Sequence, residues 1–183
     1  MNEQAVIEST RQWVEKVVID LNLCPFARRE LVNERIRFAV TDAQTQEELL
    51  LALQRELIEL ADDDSFETTL LIHPGMLNDF QDYNDFLDVA DGLVQVLDLE
   101  GLLQIASFHP QYQFAGTAED AVENYTNRSP WPMLHLLRES SLEHAIAGYP
   151  NTADIPEQNI QRVEGLGLAT MKALLASCQQ GDQ

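Results

Sequence analysis

Between residues 35 and 108 the apolar pattern switches repeatedly between a two-residue and a 3.6-residue period, and this alternation restricts the fold more than any other feature. Residues 35–40 alternate, with Ile36, Phe38 and Val40 on one side, as expected of an edge or half-exposed strand. Residues 46–60 place Leu49, Leu50, Leu53, Leu57 and Leu60 on one helical stripe. Residues 68–72 read as a short apolar second strand, stopped by His73-Pro74-Gly75. A helix over 78–97 carries Phe80, Tyr83, Phe86, Leu87, Ala90, Leu93, Val94 and Leu97 on its core face. Residues 102–108 form a third strand, apolar almost throughout, which predicts burial on both faces. Strand–helix–strand–helix–strand predicts right-handed βαβ units. The expected fold is therefore α/β, with a small, mainly parallel sheet of about three strands flanked by helices.

Helices are expected on either side of this unit. Val6, Thr10, Trp13, Val14, Val17, Val18 and Leu21 form one stripe over residues 3–22. A short helix is predicted after Leu23, with Cys24 as N-cap and Pro25 at the first helical position, where a missing N–H costs nothing. The C-terminal third reads as helical over 132–139, 141–147 and 157–177, with Gly165 and Gly167 predicting a break or a close contact in the last segment. No linker divides the chain, so residues 1–183 are expected to form a single α/β domain.

Charge narrows the possible partners. Thirty-one acidic against eleven basic residues give a formal charge of −20, and Lys16 and Lys172 are the only lysines. Such an acidic protein repels phosphate backbones and anionic lipid, so neither nucleic acid nor a membrane surface is an expected partner. No apolar run reaches the length of a membrane span. Cys24 and Cys178 are too few for a disulfide framework, and the Met-Asn-Glu-Gln start shows no basic or apolar leader. A cytoplasmic, bacterial-type setting is the resulting expectation.

Candidate chemistry concentrates in the polar tract Phe108–Glu139. His73 and His109 each end a predicted strand before a proline; in open parallel sheets such positions line the binding crevice, although histidine before proline also simply terminates a strand. Ser129 followed by Pro130 reads as a helix start, and with Arg128 just before it would form an anion site. On that helix His135, Arg138 and Glu139 would share one face as acid/base, fixed cation and orienting carboxylate; an exposed amphipathic helix with a Glu–His or Glu–Arg pair fits the same pattern. Cys24 at a helix start, with Arg28 four residues on, would be an activated thiol; a small buried cysteine is the commoner fate. Arg28, Arg29, Arg35 and Arg37 make residues 28–37 locally basic, a place for a small anionic substrate.

A metal site would combine Cys24, His73, His109 and His135, but no characteristic ligand spacing supports one. The aspartates from Asp79 to Asp91 drift around their helix, and Gly165-Leu-Gly-Leu-Ala-Thr follows no strand and lacks a third glycine. The sequence singles out no cofactor and no oligomeric state.

Three blocks, Leu23-Cys-Pro-Phe-Ala, Phe108-His-Pro-Gln-Tyr-Gln-Phe and Asn127-Arg-Ser-Pro-Trp-Pro-Met-Leu-His-Leu-Leu-Arg-Glu, make the chain resemble an uncharacterised family of small bacterial proteins, domain-of-unknown-function family 1415. The resemblance spans nearly the whole chain and implies no activity. Relatives tend to carry tyrosine where this chain has Trp131, which implies aromatic packing or stacking there. The leading expectation is an enzyme acting on a small anionic metabolite. Arg28, Arg128 and Arg138 would hold the anion, His109 and His135 would serve as acid and base, and Cys24 would be a possible nucleophile. His73, Tyr112, Asn127 and Ser129 would complete the substrate site. The alternatives are a metal-binding protein and a non-catalytic binding module that uses Tyr112, Phe114 and Trp131.

Overall fold

The computed structural model describes residues 2–148 and 152–179, the side chains of 144–146 and 148 excepted. Its centre is a four-stranded mixed sheet in the order β1-β2-β4-β3: β1 (Ile36–Val40), β2 (Thr68–Ile72), β3 (Leu103–Phe108) and β4 (Met133–Arg138). β1 and β2 pair in parallel, while β4 lies antiparallel to both β2 and β3. β1 is the predicted edge strand, and β2 is buried along its whole length.

The expectation of three mainly parallel strands is corrected by β4. Residues 132–139 are predicted helical, because leucine has good helix propensity and four apolar residues in a six-residue stretch give no decisive period. The run instead fills the gap between β2 and β3, where its backbone hydrogen-bonds on both sides and its Leu134 and Leu136 are buried. β3 is thereby displaced to the second edge. It is half-buried with Gln104 exposed, not enclosed on both faces.

Helices cover both sheet faces. α3 (Gln46–Asp62) and α4 (Phe80–Val96) pack on one face against Leu71, Leu134, Leu136 and Leu103. Thr45 and Asp79 cap these helices by accepting backbone N–H bonds. The other face carries Ile36, Phe38, Leu70, Ile72 and Met133, and receives α1 (Glu3–Trp13) and α7 (Leu168–Gln179). α6 (Ile155–Leu166) and α7 are separated at Gly167, whose φ of 79° suits glycine; the predicted break falls there.

Two local departures from the sequence expectation shape the second face. After Trp13 the first helix widens into a π turn over Val14–Ile19, with Asp20 N–H donating to Glu15 C=O and Leu23 N–H to Val18 C=O. The short helix that follows, α2 (Ala27–Val32), starts at Ala27 with Phe26 at its N-cap, so Cys24 and Pro25 lie in the preceding turn and do not begin the helix. α5 (Glu139–Gly148) continues directly from β4. Among the described residues no helix is long and apolar enough to cross a membrane.

Candidate functional site

A cavity of about 800 Å³ lies between the second sheet face and the segment from Trp13 to Glu30. Ile36, Thr68, Leu70, Phe108, His135 and Leu137 rise from the strands, and Trp13, Val14, Val18, Cys24, Pro25, Phe26 and Ala27 face them. The π turn helps form this wall, and such turns within helices recur at functional sites. At the strand ends the lining becomes polar, with Arg29, Glu30, Arg35, Glu67, Arg138, Ser140 and Ser141. This is the amino-terminal end of β1 and β2, opposite to the carboxyl-end crevice expected from a parallel sheet. With an antiparallel strand between β2 and β3, the topological switch point that would open that crevice is absent.

His135 is half-buried on this face, and its hydrogen bonds fix its tautomer. Thr68 Oγ1 lies 2.6 Å from the Leu136 carbonyl, which can only accept, and 2.7 Å from His135 Nε2. The single hydroxyl proton goes to the carbonyl, so Nε2–H donates to Thr68 and Nδ1 is left as a bare acceptor. Among the described residues nothing hydrogen-bonds to Nδ1. Burial without a nearby counter-charge pushes the His135 pKa down to about 4, so the ring is neutral at physiological pH.

Cys24 is half-buried in the same cavity. Burial raises its thiol pKa above the ordinary value, while the backbone N–H groups of Phe26 and Ala27 pull more weakly in the other direction. The thiol is therefore held protonated, contrary to the activated thiolate expected of a helix-start cysteine. At the mouth, Arg35 binds Glu67 at 2.7 Å and approaches Glu30 at 3.8 Å, while Arg29 lies 3.5 Å from Glu30. Ser141 Oγ donates to the other Glu67 oxygen. These contacts tie α2, the entries of β1 and β2, and α5 into one rim.

The other predicted residues lie elsewhere. His73 and His109 are brought together, but in a buried knot around Tyr83, with ring centroids 5.9 and 4.9 Å from the tyrosine. His109 accepts from Gln111 N–H through Nδ1 and donates from Nε2 to the Leu77 carbonyl, so both its nitrogens are used in holding turns. His73 donates from Nδ1 to the Met76 carbonyl; its buried Nε2 has no partner among the described residues, and burial lowers its pKa to about 4. Tyr83 completes the knot by donating to the Met133 carbonyl and accepting from Phe108 N–H.

The loop from His109 to Pro132 is held by its own polar groups. Arg128 donates to the Tyr112 and Glu119 carbonyls and lies 4.7 Å from the Tyr125 ring centre. Asn127 donates to the Ser107 carbonyl, and Tyr112 packs against Phe80 and Phe114. Ser129 donates to the Trp131 carbonyl and precedes a strand, so the expected helix cap and its anion site do not form. The Trp13 and Trp131 indoles donate to the Arg128 carbonyl and Ser9 Oγ, which fastens this loop to α1 and gives Trp131 a packing role.

Because Met133–Arg138 is a strand, His135, Arg138 and Glu139 do not share a helix face. His135 faces the cavity layer, whereas Arg138 donates to the carbonyls of Leu60, Asp63 and Phe66 around the end of α3. Glu139 opens α5, its backbone N–H bonded to the Leu102 carbonyl. Arg28 is exposed and pairs with Asp20 at 3.4 Å. Among the described residues no group of three or more His, Cys, Asp or Glu side chains is arranged to hold a metal, because Cys24 and His135 lie across the sheet from the His73–His109 knot.

The cavity therefore unites two of the predicted groups, Cys24 and His135, and has Arg138 at its border. Thr68, Glu67, Glu30 and Ser141 were not anticipated. Besides Arg138, the basic cluster containing Arg29 and Arg35 gave the signal for the rim. A family model described as a protein of unknown function (DUF1415) matches residues 5–173, which include the whole cavity lining. No curated protein and no solved structure matches the chain.

Proposed function

The chain belongs to the DUF1415 family, whose description assigns no activity, and we propose from its geometry that it binds a small, largely apolar molecule over His135. The observation that carries this reading is the cavity of about 800 Å³, whose mainly apolar walls hold an imidazole and a thiol. Small-molecule sites commonly have this size and makeup, an apolar body with a few oriented polar groups.

The anionic character expected of the substrate moves to the mouth. Arg28, Arg128 and Arg138 are engaged with Asp20 or with backbone carbonyls. At the rim of a chain with formal charge −20 stand Arg29, exposed beside Glu30, and Arg35, which is shared between Glu67 and Glu30. A carboxylate or phosphate on the ligand would be held there, taking the place of Glu30 beside Arg35 while the apolar body enters.

A second reading, an enzyme using Cys24 and His135, is favoured by the presence of both groups in one cavity. The pKa values set its cost. Burial raises the thiol above its ordinary value and lowers the imidazole to about 4, so forming the thiolate–imidazolium pair is unfavourable before their mutual attraction is counted. Binding is therefore the primary reading, and catalysis would require the ligand itself to change that balance.

A thermal-shift screen of aryl, cyclohexyl and straight-chain carboxylates and alcohols tests the binding reading. The expected result is stabilisation by one structural class, lost when Val18→Trp or Leu137→Trp fills the cavity of a folded variant. Absence of any stabilising compound, or binding unaffected by both fillings, would overturn it.

A further inference from the structure

We infer that the ligand presents an O–H or N–H donor to Nδ1 of His135, with any anionic group turned toward the Arg29–Arg35 mouth. This rests on the reading of the cavity as a small-molecule site and specifies the ligand's chemistry within it. Thr68 sets the tautomer of the ring. Its hydroxyl has one proton, and the Leu136 carbonyl, 2.6 Å away, is the neighbour that needs it. His135 Nε2, 2.7 Å from the same oxygen, must then be the donor of that contact. A neutral imidazole protonated at Nε2 has a lone pair at Nδ1. The strand pairing of Thr68 with Leu137 keeps this relay in register.

Among the described residues no group donates to Nδ1. The Cys24 thiol shares the cavity without forming a hydrogen bond to it. A carboxylate or phosphate oxygen placed there would set lone pair against lone pair in an apolar enclosure, where an unmet polar group is costly. A hydroxyl, amide N–H or amine at that point gives Nδ1 a donor that none of the described residues supplies. The polarity of the cavity is thus graded, with an acceptor on the strand floor and guanidinium groups at the rim. A matching ligand is amphipathic in the same sense: donor inward, apolar in the middle, acidic or polar outward.

The test uses the full chain and three probes of similar body: p-cresol, which donates; p-methylanisole, which only accepts; and p-toluate, which is anionic. Calorimetry is expected to show p-cresol binding about tenfold tighter than p-methylanisole, the effect of one hydrogen bond gained within a mainly apolar cavity. The preference should vanish in His135→Leu while p-methylanisole still binds. In nitrogen-15 spectra of the wild-type imidazoles, p-cresol should shift the unprotonated Nδ1 signal of His135 and leave Nε2 as the protonated position. This readout requires no variant. Equal affinity for p-cresol and p-methylanisole, an unmoved Nδ1 signal, or p-toluate bound against His135 would overturn the donor assignment and leave the cavity reading standing. If none of the three probes binds, both fail together.

Discussion

Acidification should destabilise the protein through His73 and His135, and the size of the effect can be worked from their surroundings. Burial pushes both rings from the ordinary 6.5 to about 4 in the folded chain. The folded value lies below the unfolded one, so the unfolded state takes up protons first. Stability from this source is complete above the unfolded value and falls as the pH drops from 6.5 toward 4. Linkage gives about 2 kcal/mol lost per ring at about pH 5, and about 3 kcal/mol at about pH 4. Carboxylate titration and relief of the −20 self-repulsion act over part of the same range. They are common to wild type and single variants, so the informative quantity is the difference between the two. Urea unfolding followed by the fluorescence of Trp13 and Trp131, between about pH 8 and pH 4.5, supplies it. His73→Leu and His135→Leu should each flatten the acid limb by about 2 kcal/mol at pH 5. His73 is the cleaner case, being sealed from solvent, whereas His135 opens on the cavity. Difference curves flat to within about 0.5 kcal/mol for both variants would refute the claim that burial keeps these rings neutral.

Three further outcomes follow from the placement of individual residues. Arg138→Met should cost about 2 kcal/mol in unfolding free energy through the lost bonds to Leu60, Asp63 and Phe66, while Arg28→Ala, which removes an exposed pair with Asp20, should stay within about 0.5 kcal/mol. Tyr83→Phe should cost about 2 kcal/mol by unpairing the Met133 carbonyl and the Phe108 N–H, measured by the same unfolding assay; a neutral result would remove the tyrosine from its bridging role. Cys24 should be alkylated by iodoacetamide at about pH 7 at least about tenfold more slowly than a free thiol, with Cys178 protected until unfolding. Mass spectrometry of timed samples reads both sites, and fast labelling of Cys24 would instead support the enzyme reading.

Much of the framework was legible in the sequence, because side-chain period reports local conformation. The leucine stripe of α3, the β-branched and apolar run of β2, the aromatic face of α4 and the break at Gly167 all declare themselves within a few residues. The run Met133–Arg138 did not, because a short leucine-rich stretch suits a buried helix turn as well as a central strand. Only the unpaired edges of β2 and β3 decide between them, and they are supplied by residues about 30 to 70 positions away. That decision determines the site. As part of a helix, His135 would share a face with Arg138 and Glu139. In β4 it turns instead toward Thr68 and the cavity that Cys24 also lines, while Arg138 goes to the end of α3. Composition determined the acidity of the chain, and local pattern determined most of its helices and strands. Which polar groups meet was decided by strand order, since non-local pairing leaves no periodic trace in the residues that take part.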